Sequence, residues 1–166
     1  MGVLTQDMKR VVREQRLGYI ATVCPDRSPN LSPKGTTTVW DDDHLVFADI
    51  CSPGTIENLR HNPAIEINVV DPILRKGNRF KGLATVLERG PDFAEVMEFY
   101  RTVYKLQPGL ADRVRRVVMV KVERALPLTS PIYDLGSTEE DVATRYTEYY
   151  GRLGRDRDVT PSRPKA

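Results

Sequence analysis

Residues 44–70 read HLVFADICSPGTIENLRHNPAIEINVV, and the order of patterns inside this stretch decides the fold. HLVFAD is a short apolar run and reads as a strand. Ser52-Pro53-Gly54-Thr55 then supplies helix-start chemistry, so one or two helical turns are predicted from near Ser52 or Thr55 up to Asn62-Pro63. AIEINVV returns the chain to a strand. A strand, a short helix and a strand in so few residues leave room for tight connections only.

Working outward toward the N-terminus, Asp41-Asp42-Asp43 is a turn, and PNLSPKGTTTVW (29–40) is extended but holds Pro33 and Gly35. A central strand tolerates those poorly, so an edge strand or a bulge is predicted there. Before it, Pro25-Asp26-Arg27-Ser28 is a hairpin turn after the strand LGYIATVC (17–24), and Leu4, Met8, Val11 and Val12 mark an amphipathic helix over 4–16. On the other side, DPILRKGN (71–78) reads as a polar basic loop and RFKGLATVLE (79–88) as a strand. Phe93, Val96, Met97, Tyr100 and Tyr104 give a helix over 91–105, and VRRVVMVKVERALPL (114–128) is the last core strand, with Val117, Met119 and Lys121 facing away from Val118, Val120 and Val122. Ser137 with Glu140 matches a capping box before a C-terminal helix. About six strands joined mainly by tight turns fit a small closed or partly closed barrel better than a doubly wound sheet, which needs a helix after nearly every strand. The reading is one domain over 1–150, including both terminal helices, with 151–166 a flexible polar tail.

Composition narrows the function. The chain has 166 residues, 25 Lys+Arg against 23 Asp+Glu, two His and two Cys, for a net charge of +2. A near-neutral balance gives nucleic-acid binding no global support. Cys24 and Cys51 are too few for a disulfide framework, and with His44 and His61 they make no zinc set. No apolar run reaches a spanning length, so no membrane role is expected and the protein reads as soluble and cytoplasmic. There is no GxSxG and no Walker A motif. His44 and His61 read as surface or capping residues, and Cys24 as a small buried one. Three pieces point instead to an anion. Ser32-Pro33-Lys34-Gly35 combines a hydroxyl, a cation and a flexible backbone, and Ser52-Pro53-Gly54-Thr55 offers hydroxyls with the free amides of a helix start. Arg75, Lys76, Arg79 and Lys81 place four cations in seven residues. Each piece alone also has a plain structural reading, as a solvated loop or a helix cap.

GYIATV, PNLSPKG, HLVFADICSPGTIENLRHNPAIEINVVD and RFKGLATV, in this order, resemble the flavin-binding split-barrel family that includes pyridoxamine 5′-phosphate oxidase. The resemblance covers about residues 10–125, and the NL-x-x-NP element is its most specific part. It implies a mainly β (α+β) fold, a six-stranded antiparallel split barrel with peripheral helices. It also implies a homodimer with two FMN molecules at its interface. On this resemblance Ser32, Pro33, Lys34 and Gly35 run along the flavin and its phosphate arm, Ala48 and Asp49 present backbone groups to the ring, Ser52, Thr55 and Asn58 hold the phosphate, and Arg79 and Lys81 face the cofactor.

The departures matter too. The family's Ser-Arg-Lys phosphate loop is Ser52-Pro53-Gly54-Thr55 here, without cations, and no His follows His61 to supply its Arg-x-His substrate motif. Vitamin B6 oxidation is therefore disfavoured, and a haem-degrading branch lacks a convincing His ligand. The expected activity is FMN-dependent hydride transfer with a small-molecule substrate, NAD(P)H among the candidates. The alternatives are a reductase using the deazaflavin F420, whose anionic tail would suit Arg75 to Lys81, and a non-catalytic flavin carrier or sensor. Tyr133, Tyr146, Tyr149 and Tyr150 read either as a lid or as simple packing.

Overall fold

A computed structural model describes residues 2–157. Its elements are α1 (Gln6–Gln15), β1 (Gly18–Val23), β2 (Pro29–Lys34), β3 (Thr38–Val39), β4 (His44–Asp49), α2 (Pro53–His61), β5 (Ala64–Asp71), β6 (Lys76–Leu87), α3 (Pro91–Thr102), α4 (Pro108–Ala111), β7 (Arg116–Thr129) and α5 (Glu139–Arg157), with a 3₁₀ turn at Pro131–Leu135. The strands form one sheet in the order β2-β1-β5-β6-β7-β4-β3. There are seven strands where six are predicted, because the extended run over 29–40 breaks at residues 35–37 into β2 and the two-residue β3.

That break shapes the sheet. β2 and β3 are its opposite edges, yet only residues 35–37 join them. A chain this short spans roughly 3.3–3.6 Å per residue, so the two edges must come together and the sheet must curl into a half-barrel. Pro29 and Pro33 sit on the edge strand β2, where no outer ladder needs their missing N–H.

The chain divides into two compact units, Met1–Val70 with Gly77–Leu128, and Asp71–Lys76 with Thr129–Ala166. In the first, the inward residues Ile20, Phe47, Ile67, Phe80, Val118 and Val120 form the main core, which α1 closes with Val12 and α2 with Ile56. The opposite face of β4 and β7 carries Val46 and Val117, and α3 covers it with Val96, Met97 and Tyr100. The predicted alternation along β7 is therefore present, but Val117 is buried on the outer side because a helix lies over it.

The second unit is organised around the tip of the β5–β6 hairpin. Strand β6 begins at Lys76, so the expected loop over 71–78 is shorter than predicted. The Tyr133 hydroxyl donates to the Leu74 carbonyl at 2.6 Å and the Ser130 amide to that of Arg75 at 3.1 Å. Tyr133 and Tyr146 lie under Lys76 and Arg75 at 4.3 and 5.0 Å. Helix α5 runs to Arg157, so residues 151–157 of the expected tail are helical, while 158–166 lie outside the described residues. Its cap is one residue later than predicted. The Thr138 hydroxyl accepts from the Asp141 amide at 3.2 Å, and the Asp141 carboxylate accepts from the Thr138 amide at 2.9 Å. Thr138→Ala should accordingly cost about 1 kcal/mol of stability, and Ser137→Ala close to none. Thermal unfolding of the two variants side by side checks this; equal losses would return the cap to Ser137.

Candidate functional site

The residues that gather at the β2–β3 connection are held there by several independent contacts. Gly18 leaves the space that Thr37 fills: a Cβ on Gly18 would lie 2.6 Å from the Thr37 hydroxyl oxygen. That hydroxyl donates to the Lys34 carbonyl at 2.9 Å, and the Thr36 hydroxyl bridges to the amide and carbonyl of Ala48 on β4. From α3, the Tyr100 hydroxyl donates to the Thr36 carbonyl at 2.9 Å; just past the helix, that of Tyr104 donates to Gly35 at 2.7 Å. Burial raises the Tyr100 phenol well above its ordinary pKa, so it stays a donor. Tyr100→Phe removes this donor and leaves a carbonyl without it, for an expected loss of about 1–3 kcal/mol. Chemical denaturation measures that loss, and an unchanged midpoint would mean the connection is held without the phenol.

Two cavities adjoin this connection. One, about 310 Å³, is lined by Pro33, Lys34, Thr36, Ala48, Leu106 and Leu110. The other, about 240 Å³, is lined by Asp49, Ser52, Pro53, Arg113, Arg115 and Arg116. They share Ile50, Cys51 and Ser52 as a common wall. Lys34 is only 6% exposed, and its ammonium hydrogen-bonds to the Ser32 hydroxyl. Burial lowers its pKa, and the charge of nearby Asp49 works the other way. Buried Asp49 accepts from the Ser52 amide at 2.9 Å and lies 3.4 Å from an Arg116 nitrogen. Arg116 also donates to Glu88 at 3.0 Å, and together with Arg60 it holds the Glu88 carboxyl below its usual pKa.

The predicted residues thus divide. Ser32, Pro33, Lys34, Gly35, Ala48, Asp49 and Ser52 come together at this end of the half-barrel. The backbone groups of Ala48 expected to meet a ring are already engaged by Thr36. The Asp49 carbonyl accepts from the Arg115 amide at 3.1 Å. Thr55 is buried within the first turn of α2. Asn58 serves the fold, donating to the Thr22 hydroxyl at 3.0 Å and to the Cys24 sulfur at 3.5 Å, which fastens α2 to β1.

Arg79 and Lys81 stand elsewhere, 2.9 and 3.0 Å from the two carboxylate oxygens of Glu66. Lys81 and Glu66 line a separate cavity of about 490 Å³ beside Ala21, Val23 and Leu83. His44 holds a turn, with its Nδ1 2.9 Å from Asp41, and His61 is exposed at the end of α2. Sequence reasoning missed Arg115 and Arg116, which read as the start of a strand, and Arg113 just before it, together with Tyr100 and Tyr104 as holders of the connection. Three arginines within four residues were the signal available. Among the described residues no His, Cys, Asp and Glu side chains cluster as a metal site, and no helix is long and apolar enough to cross a membrane.

This geometry agrees with a sequence match over residues 4–127 to pyridoxamine 5′-phosphate oxidase. The chain belongs to that family. The match ends before the 3₁₀ turn and α5. Among solved structures, Group A Streptococcus HupZ is 28% identical with a TM-score of 0.66, the alignment covering 76% of this chain and 94% of HupZ. An F420 reductase is 20% identical, with a TM-score of 0.57 over 74% of this chain and 98% of its own. An FMN-binding protein from Syntrophomonas wolfei is 17% identical, with a TM-score of 0.58 over 75% and 86%. The last two likenesses speak for the fold alone. No curated protein matches the chain.

Proposed function

We propose that this member of the family is an FMN-dependent oxidoreductase that works as a homodimer and exchanges a hydride with a small-molecule substrate, NAD(P)H being a candidate donor. The observation that carries the reading is the pair of adjoining cavities with a buried lysine, Lys34, on one side and arginines on the other. Burying a cation beside an open cavity is costly unless something with acceptor oxygens comes to it. The residues fit the anionic arm of a flavin mononucleotide. Lys34, Ser52 and the first-turn amides of α2 would hold that arm, and Leu106 and Leu110 give an apolar wall beside it. When bound, the flavin supplies the hydride chemistry, and the protein contributes binding, orientation and a fixed positive charge.

FMN is favoured over F420 because the cations expected to receive a longer anionic tail are engaged elsewhere. Arg75 lies over Tyr146, Lys76 is 2.6 Å from Glu139, and Arg79 and Lys81 share Glu66. The test is the absorption spectrum of the purified protein, followed by NADH or NADPH added without oxygen. A yellow protein that bleaches supports the reading, and one that stays yellow with both NADH and NADPH favours a carrier. Colourless protein that takes up F420 but not FMN would overturn the choice of cofactor.

A further inference from the structure

We propose that Arg113 and Arg115, beside the first turn of α2 and with Arg116 behind them, form the binding site for a phosphomonoester dianion, replacing the cations that Ser52-Pro53-Gly54-Thr55 lacks. The ligand's name, FMN, rests on the reading above; the site itself rests on its own geometry. The 240 Å³ cavity has three arginines and one carboxylate in its wall. Asp49 is already committed, with one oxygen on the Ser52 amide and the other near Arg116. Arg116 is shared further with Glu88. Arg113 and Arg115 have no ion-pair partner among the described residues. The cavity therefore carries an excess of two positive charges, which matches a phosphate monoester near neutral pH.

A second, independent feature points the same way. Lys34, which lines the adjoining cavity, is a residue only 6% exposed, and its ammonium has three donors, of which the Ser32 hydroxyl takes one. The two cavities share Ile50, Cys51 and Ser52 as a wall, so an anion bound there would have Lys34 lining one side and the arginines the other. Ser52 caps α2 without a side-chain hydrogen bond, so its hydroxyl is also available. On this assignment Arg79 and Lys81, which share the Glu66 carboxylate away from this cavity, take no part in phosphate binding.

The experiment compares FMN with riboflavin, which differ by the phosphate, in equilibrium titrations of the wild type and of Arg113→Ala/Arg115→Ala. Both arginines are exposed, so the variant should fold, and thermal unfolding confirms that. The expected result is FMN binding weakened about tenfold to a hundredfold for each guanidinium lost, with riboflavin binding unchanged. Adding Gly54→Lys to the double variant should restore part of the preference for FMN, since a Cβ at Gly54 meets no atom within 4 Å. A double variant that keeps the full wild-type preference overturns the arginine site and leaves the flavin reading standing. If the wild type binds neither flavin, the flavin reading fails, and titration with a simple phosphomonoester, phenyl phosphate, decides the site. Binding by the wild type that the double variant loses supports it, and no binding by the wild type ends it.

Discussion

Gly82→Ala is expected to destabilise the protein more than an ordinary core substitution does. A Cβ on Gly82 would lie 1.9 Å from the carbonyl oxygen of Lys121 on the neighbouring strand β7. A flexible side chain could swing away from such a contact, but this is backbone, and Lys121 is paired on its other side with His44 of β4. Neither strand can move without breaking a ladder in the middle of the sheet. Overpacking of cores costs about 1–3 kcal/mol where side chains can adjust, so a backbone collision should exceed about 3 kcal/mol, a large share of a typical domain's 5–15 kcal/mol. Urea unfolding of Gly82→Ala against Gly54→Ala, which has open space at its Cβ, is the measurement. If the Gly82 variant unfolds at the wild-type midpoint, the close approach of β6 to β7 is not a constraint.

Lys34→Met should move stability and binding in opposite directions. The ammonium is desolvated in the folded chain, with a hydroxyl as its hydrogen-bond partner, so an apolar side chain of similar length should stabilise the unliganded protein by about 1 kcal/mol. The same change should weaken FMN binding about tenfold to a hundredfold by removing a charge-assisted contact. The pH dependence has a definite sign. Because burial lowers the Lys34 pKa, the folded chain binds fewer protons than the unfolded one between that lowered value and the ordinary 10.5. Stability conferred through this group therefore rises with pH across that window. A bound anion favours the charged ammonium and should flatten the rise, and Lys34→Met should remove it. Denaturation midpoints against pH, with and without FMN, test both parts. A variant that is less stable than wild type and binds FMN equally well would show that Lys34 serves the fold and not a ligand.

Much of this was legible in the residues because it depends on local chemistry. The strand, helix, strand order from His44 to Val70 is written in short apolar runs and in Ser52, Pro53 and Pro63, so β4, α2 and β5 stand within a residue or two of where they are predicted. Lys34 and Ser52 read as anion-binding groups from residue type alone, and the fold does bring them to adjoining cavities. What the residues did not reveal, their partners in the fold, is non-local. Arg79 and Lys81 read as free cations because Glu66, the one carboxylate they share, is more than ten residues away on another strand. Asn58, a phosphate residue on the resemblance, donates to Thr22, a partner 36 residues earlier that no local pattern reveals. Arg115 and Arg116 read only as the start of a core strand, with Arg113 just before it, until β7 pairs Arg116 opposite Asp49 and brings them beside α2. The missed break at 35–37 has the same origin, since Tyr100 and Tyr104 that hold it lie beyond 60 residues away.

The order β2-β1-β5-β6-β7-β4-β3 also dictates when the chain can fold. As it emerges from the ribosome, residues 18–49 can form two local hairpins, β1 with β2 and β3 with β4, tethered by three residues. Between them in the finished sheet lie β5, β6 and β7, and β7 does not end until Thr129. The nascent protein must therefore hold a gap open for about eighty residues of synthesis, with the inner edges of both hairpins unpaired. Folding is in this sense an insertion that waits for the last strand, and the chain's exposure to aggregation is set by translation speed over residues 50–129. Chains arrested before Arg116 should remain sensitive to protease throughout β4, and those released past Thr129 should not.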